Sequence, residues 1–238
     1  CHSTMFSDGI GGNWAFKTNR TDIGAQFPWI VDVLEQARSH NEKVLMLRHF
    51  PMTDYGLGYD ELMANITAEY ADVIVASFAG HAHDSWLSVL QNHAGENVDV
   101  TYVSGSGTPG GGNPTFRVFH YDLDTFELTD YDSYWVDLDQ AIETGEAIWK
   151  KDHSARSYYG MKGIDASDWV ELANSWLKGD DSTASWLKYA RAITRDHEPA
   201  SSQKRINRAC EVLTSLRADY DACKRRYSDD DLAQIDLD

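Results

Sequence analysis

The chain has 238 residues, with 21 Lys and Arg against 38 Asp and Glu, which gives a formal net charge of −17. This acidic balance argues against nucleic-acid binding, which needs a basic surface. The aromatic content, with 8 Trp, 12 Tyr and 8 Phe, excludes a disordered chain, and no apolar run approaches the roughly 20 residues of a membrane span. The length allows one large domain or two smaller ones.

The first part of the chain alternates between helical and strand-like patterns. Its first 26 residues are rich in Gly, Ser, Asn and Thr and predict mainly loop. Apolar spacing then predicts two helices, and short apolar or alternating runs predict strands. The predicted order is helix 27–39, strand 44–47, helix 59–70, strand 73–78, strand 98–103, a glycine-rich loop over 105–113, and a hairpin of strands 116–121 and 126–134. The runs 44–47 and 73–78 are continuous and predict buried strands.

Beyond about residue 138 the pattern becomes helical throughout. Helices are predicted over 140–159, 166–177, 182–194 and 201–220, with Asp165 and Ser201 as N-caps. The chain is therefore predicted to be α/β over residues 1–138 and all-helical over residues 139–238.

Three cysteines and two glycosylation sequons bear on the compartment. Cys210 and Cys223 could close a short loop by a disulfide, and Cys1 would then stay free or pair outside this chain. Asn19 and Asn65 each begin an N-x-[ST] sequon. Together these features favour a secretory or lysosomal setting over three reduced thiols in the cytosol. Because the chain begins with Cys1, it is interpreted as a processed product or as part of a longer one.

Histidines follow two of the predicted apolar strands. His49 comes directly after strand 44–47, and Gly80, His81 and His83 come after strand 73–78. The carboxyl ends of strands in α/β proteins open into a crevice where functional groups gather. Neutral imidazole is a common metal ligand, so the three histidines predict a metal site. The alternative is that the His-x-His pattern at a strand end is a coincidence.

Several segments resemble a known family. Arg48-His49-Phe50-Pro51 is similar to the Gly-His-x-Pro motif of calcineurin-like metallophosphoesterases, and Gly80-His81-Ala82-His83 matches their Gly-His-x-His motif. Asn113-Pro114-Thr115-Phe116-Arg117-Val118-Phe119 resembles a segment of the acid sphingomyelinase branch. Segments 158–161, 169–172 and 186–189 resemble the C-terminal helical subdomain of that branch. The resemblance covers nearly the whole chain.

The resemblance implies the C-terminal half of a two-sheet αββα sandwich followed by a helical subdomain. It also implies a two-metal centre, usually zinc, in which His49 and His81 bind one ion and His83 binds the other. Two such ions would activate a hydroxide and neutralise the phosphate of a phosphodiester substrate, for example in a phospholipid headgroup. The Cys210/Cys223 pair lies where the branch carries a small disulfide. No residue of this chain is assigned a general acid or base.

Two further residues near the histidines are candidates for the site. Arg48 stands where the family has glycine, and it could bind phosphate or point away. Asp84 could orient a ligand histidine by accepting a hydrogen bond from its other ring nitrogen.

In the family, further motifs supply a bridging Asp, an Asn ligand and a histidine that protonates the leaving group, and these motifs are absent from this sequence. The expectation is therefore that an N-terminal half, linked through Cys1 or otherwise, completes the enzyme. A non-catalytic binding or structural module of an extracellular assembly is one alternative. A phosphatase acting on polyphosphate or nucleotides is the other.

Overall fold

The computed structural model describes residue 22 and residues 24–56, 58–107, 112–194 and 201–227. The first sheet has four strands, in the spatial order β1-β2-β4-β3. The strands are β1 (Val44–Leu47), β2 (Ile74–Ala79), β3 (Trp86–Gln91) and β4 (Asn97–Val103). β1, β2 and β4 are parallel, while β3 runs antiparallel to β4 at one edge. Helices α1 (Gln26–Ser39) and α2 (Tyr59–Glu69) confirm the predictions for those segments.

Two features of this sheet differ from the sequence prediction. β3 was not predicted, because its residues WLSVLQ do not alternate: five of the six are buried. β1 was predicted to be buried, yet Leu45 and Leu47 are 50% and 69% exposed. That prediction was wrong because β1 is an edge strand, and one face of it has no covering element within the described residues.

The second sheet is antiparallel, in the order β5-β6-β7. β5 (Thr115–Tyr121) and β6 (Leu128–Val136) confirm the predicted hairpin. The helix predicted over 140–159 was wrong. Its place is taken by helix α3 (Leu138–Thr144), strand β7 (Trp149–Ser154) and helix α4 (Ala155–Tyr159). Helix α3 ends at Gly145 in the left-handed region, and β7 is stabilised by pairing with β6, a long-range contact that local propensity does not reveal.

Four helices complete the described chain. They are α5 (Ala166–Lys178), α6 (Ala184–Thr194), α7 (Ser202–Leu213) and α8 (Arg217–Arg226). Asp165 and Ser201 are N-caps, as predicted, because each side chain accepts hydrogen bonds from the first turn. The single helix predicted over 201–220 was wrong, since Thr214 is extended and separates α7 from α8.

The turn between α7 and α8 lets the two helices run side by side. Cys210 and Cys223 form the predicted disulfide, with their Cα atoms 5.6 Å apart. No helix among the described residues is long and apolar enough to cross a membrane.

The two sheets contact each other through aromatic rings. Phe119 of β5 lies 5.0 Å from the rings of both Phe78 and Tyr102 in the first sheet. The buried cluster around these rings also contains Trp169 and Trp176 of α5, so it includes residues from both sides of position 138. A second cluster holds α1 and α2 against the first sheet. The division of the chain near residue 138 and the calcineurin-like half-domain stay predictions.

Candidate functional site

The two histidine segments converge at the carboxyl ends of two neighbouring strands of the first sheet. β1 and β2 are parallel neighbours, with Leu47 opposite Phe78, so their carboxyl ends lie together. The imidazole centroids of His49 and His81 are 5.2 Å apart in an edge-to-face arrangement. The Gly80 amide donates to the His49 carbonyl oxygen at 2.8 Å. The sequence-predicted juxtaposition of these two histidine segments is therefore present in the fold.

The loop after β2 has an uncommon backbone. His81 and His83 have φ angles of 68° and 62°, in the left-handed region that non-glycine residues rarely occupy. Gly80 itself has no such requirement. A Cβ there would lie 3.7 Å from the His49 carbonyl oxygen, an ordinary van der Waals distance. The special geometry of this loop thus belongs to its histidines rather than to its glycine.

The electrostatic surroundings of His81 favour the neutral ring. Desolvation by the surrounding protein lowers the pKa of His81, and His49 and His83 lower it further, against an opposing effect of Asp54. Asp54 lies in the short 3₁₀ helix Met52–Asp54, and burial raises its pKa while Arg217 and His81 lower it. A neutral imidazole is the form that binds a metal ion. The sequence patterns did not identify Asp54 as a site residue, and its position five residues after His49 was the one indication.

The two further candidates make contacts away from the histidine rings. The side chain of Arg48 is only 2% exposed and is buried against β4 of the first sheet. Its Nη2 donates to Thr101 Oγ1 at 2.6 Å and lies 3.9 Å from Asp99. Burial raises the pKa of Asp99, and Arg48 opposes that effect. This placement favours the interpretation in which Arg48 points away from the histidines over the one in which it binds phosphate. Asp84 pairs with Arg208 of α7 at 3.5 Å.

The histidines fit part of a metal site. Two imidazoles whose centroids are 5.2 Å apart can direct one nitrogen each at a shared ion, since zinc binds imidazole nitrogen at about 2 Å. Across the parts of the chain that the structure describes, no group of three or more His, Cys, Asp and Glu side chains is arranged to hold a metal ion. His49, His81 and His83 do not form such a group by themselves, and the metal site stays a prediction.

A cavity of about 210 Å³ opens beside the histidine loop. Asp54, Ala82 and Asp84 form one wall, and Arg208 and Arg217 of the last two helices form another. Sequence reasoning missed the two arginines because they lie more than 120 residues along the chain from the histidines. Their position on either side of Cys210 was the only available signal.

The modification candidates fall on different parts of the chain. Asn65 is exposed on α2, and its side-chain oxygen lies 3.1 Å from His93 Nε2. Asn19 and Cys1 lie outside the described residues. Glycosylation at either sequon stays a prediction.

No protein-family profile matches the chain. Among curated proteins, the human cyclic GMP-AMP phosphodiesterase SMPDL3A is 26% identical over 220 residues, which are 84% of this chain and 48% of that protein. Sphingomyelin phosphodiesterase A of Dictyostelium discoideum is 25% identical over 206 residues, 83% of this chain and 35% of that protein. Sphingomyelin phosphodiesterase B of the same organism is 31% identical over 164 residues, 64% of this chain and 26% of that protein.

These relatives agree in the type of enzyme that they name. The chain spans about half or less of the length of each of them. Their similarity covers between 64% and 84% of this chain. The chain is thus homologous to the acid sphingomyelinase-like branch of phosphodiesterases.

Proposed function

We propose that this chain is the C-terminal part of a metal-dependent phosphodiesterase whose N-terminal half supplies the remaining metal ligands. The observation that carries the proposal is the meeting of His49 and His81 at the ends of neighbouring parallel strands, with 5.2 Å between their ring centroids. The relatives named as phosphodiesterases support the same reaction type.

In this proposal His49 and His81 hold one zinc ion and His83 holds a second. Two ions bound there would lower the pKa of a shared water and neutralise the charge of the phosphate. The chain's own contribution is to present neutral imidazoles in a fixed orientation. The lowered pKa of His81 supports this role, because less of the ring is protonated near neutral pH and competition between proton and metal is reduced.

An N-terminal half would also cover apolar surface that the described residues leave exposed. Leu45 and Leu47 on β1 are 50% and 69% exposed, and Phe116 and Trp149 on the second sheet form an exposed ring contact at 4.8 Å. Covering such side chains would stabilise the assembly by about 25 cal/mol per Å² of buried apolar surface. Cys1 is the candidate for a covalent link to that half.

The proposed location is secreted or lysosomal. The Cys210–Cys223 disulfide supports it, because such bonds persist in oxidising compartments. The exposed position of Asn65 is compatible with glycosylation there.

The proposed substrate is a phosphodiester, and the relatives' names offer two classes. Sphingomyelin phosphodiesterases act on a phospholipid headgroup, and the human relative is named for a cyclic dinucleotide. The second class is a specific alternative because the human protein matches 84% of this chain. A polyphosphate substrate is disfavoured by the net charge of −17.

The test measures metal content and turnover of the full-length protein encoded by the transcript. We expect about two zinc ions per molecule and hydrolysis of a generic aryl phosphodiester, with sphingomyelin vesicles and a cyclic dinucleotide compared as substrates. His81→Ala and His83→Ala should each lower kcat by at least about 100-fold, because each removes a direct ligand.

His40→Ala is the matched control, since His40 is an exposed histidine at the end of α1, on the amino-terminal side of β1, whereas His49 follows the carboxyl end of β1. It should retain both zinc and turnover. Unchanged zinc content and turnover in His81→Ala and His83→Ala would contradict the proposal. A wild-type protein with neither metal nor turnover would instead identify a non-catalytic module.

A further inference from the structure

The two histidine segments are each tied to the last two helices by one arginine. Arg217, the first residue of α8, lies 3.6 Å from Asp54, which follows His49 by five residues. Arg208 of α7 lies 3.5 Å from Asp84, which directly follows His83. Each strand-end segment that carries a histidine therefore has its own ion pair to the same pair of helices.

The two helices that carry these arginines are themselves fixed to each other. Cys210 lies two residues after Arg208, and Arg217 lies inside the loop that the Cys210–Cys223 disulfide closes. The turn between the helices is also attached to the first sheet, because Ser215 donates a buried hydrogen bond to Ser88 of β3 at 3.1 Å. The separation of the two arginines is thus set by a covalent bond and by a buried anchor.

The histidine loop needs such external support. Two of its residues, His81 and His83, have left-handed backbones with one residue between them. Conformations of this kind persist only where the surrounding structure holds them. Within the loop, the Ala82 amide donates to the Gly80 carbonyl at 2.8 Å, a contact that closes only a very short turn. The ion pair at Asp84 holds the loop at its carboxyl end, where the chain enters β3.

We infer that Arg208 and Arg217 are positioning residues that hold the two histidine segments in a fixed position relative to each other. The Cys210–Cys223 disulfide sets the distance between the two arginines. The inference rests on the proposed function only for the consequence on catalysis. The restraint itself is a property of the fold. It assigns the last two helices a role in the geometry of the site, although they contribute none of the predicted metal ligands.

The inference is tested by hydrogen–deuterium exchange on the full-length protein. Arg208→Gln should speed amide exchange over residues 80–85, and Arg217→Gln should do so over residues 50–55. The expected increase is about two- to fivefold, the range that a partly exposed ion pair supplies. Reduction of the disulfide should speed exchange in both segments at once.

A matched control removes an ion pair on the amino-terminal side of β1 and β2, whose carboxyl ends lead into the histidine segments. Arg38 pairs with Asp72 at 2.6 Å, and Arg38→Gln should leave exchange over both histidine segments unchanged. Arg208→Lys and Arg217→Lys keep the positive charge and should restore part of the protection. Arg208 also pairs with Glu211 on its own helix at 2.6 Å, so Asp84→Asn tests the contact with Asp84 by itself. Adding Asp84→Asn to Arg208→Gln should change exchange over 80–85 little, because Arg208→Gln has already removed the pair with Asp84.

The catalytic readout separates this inference from the proposed function. In an active protein both glutamine variants should lower kcat several-fold with zinc content unchanged. If the wild-type protein is inactive but exchange responds as expected, the proposed function fails and the positioning role stands. If exchange over 80–85 and 50–55 is the same in wild type, Arg208→Gln and Arg217→Gln, the positioning role is overturned, whatever the turnover.

Discussion

At the scale of single residues, the loops beside the histidines are held by close packing as well as by charge. Gly105 follows the carboxyl end of β4, and the histidine segments follow the carboxyl ends of the parallel strands β1 and β2. A Cβ at this position would overlap Thr115 Oγ1 and lie 2.5 Å from Ser85 Oγ. Both hydroxyl-bearing residues are buried, and their oxygens are hydrogen-bonded to each other at 3.1 Å. The absence of a side chain at Gly105 is what allows that buried contact.

We expect Gly105→Ala to destabilise the protein by about 1–3 kcal/mol, because the added methyl group must displace a buried hydrogen-bonded pair. Urea unfolding followed by circular dichroism measures the change. Gly107→Ala is the control, since no atom of the described residues lies within 4 Å of a Cβ there. Equal stability of the two variants would show that the loop relaxes freely around Gly105.

At the scale of elements, one carboxylate joins the three strands of the second sheet. Asp132 of β6 lies 2.8 Å from Lys151 Nζ and accepts a hydrogen bond from Ser154 at 2.6 Å, both on β7. His120 of β5 lies 3.3 Å from its other oxygen. The contacts with Lys151, Ser154 and His120 lower the pKa of Asp132 to about 2. The strand that sequence patterns missed is thus fixed by side-chain contacts as well as by its backbone pairing.

The lowered pKa of Asp132 predicts a defined pH dependence of stability. An unfolded aspartate titrates near pH 3.9, at about its ordinary value, so the stabilisation is complete above that pH and is lost as the pH falls through about 2. Asp132→Asn should therefore lower the free energy of unfolding by about 1 kcal/mol at pH 7, a figure moderated because Lys151 is half exposed.

The measurement is urea unfolding of wild type and Asp132→Asn between pH 7 and pH 2. The difference between the two proteins should shrink below about pH 4. Asp124→Asn, a change at an exposed position in the β5–β6 connection, should show no such trend. A difference that stays constant down to pH 2 would contradict the assignment of the stabilisation to the charged form of Asp132.

At the scale of the whole molecule, the aromatic core unites segments that sequence patterns separate. Trp169 of α5 is fully buried, and its Nε1 donates to Tyr102 Oη of the first sheet at 3.1 Å. Its ring also lies 6.4 Å from that of Tyr131 in the second sheet. One helix therefore contacts both sheets at a single side chain. From this continuity we expect the described elements on either side of residue 138 to unfold together.

We expect Trp169→Ala to destabilise the protein by about 3–5 kcal/mol, because it empties a large fully packed site and removes a buried hydrogen bond. Sheet and helix should lose protection together, as measured by hydrogen exchange over residues 44–136 and 155–213. Trp29→Ala, at a tryptophan that is 54% exposed on α1, should change stability by about 0.5 kcal/mol or less. Separate transitions for the two regions would instead support a domain boundary near residue 138.

Features that depend on neighbours along the chain could be predicted from the sequence. Apolar periodicity and capping residues located α1, α2, α5 and the β5–β6 hairpin, because helix and hairpin signals are local. The motifs around His49 and His81 identified the family and predicted that two strand ends would meet. The Cys210–Cys223 bridge was also accessible, since the two cysteines are close in sequence.

Strands and side-chain contacts that depend on residues far apart in the chain became visible only in the tertiary structure. β7 forms because its backbone pairs with β6. β3 is buried because helices pack over it. Arg48 is turned into the sheet by Thr101 and Asp99, residues more than 50 positions away. The contacts of Arg208 and Arg217 with the histidine segments arise in the same way. Long-range electrostatic and packing contacts leave no periodic trace in a sequence, because each depends on where the chain returns in space rather than on its nearest neighbours.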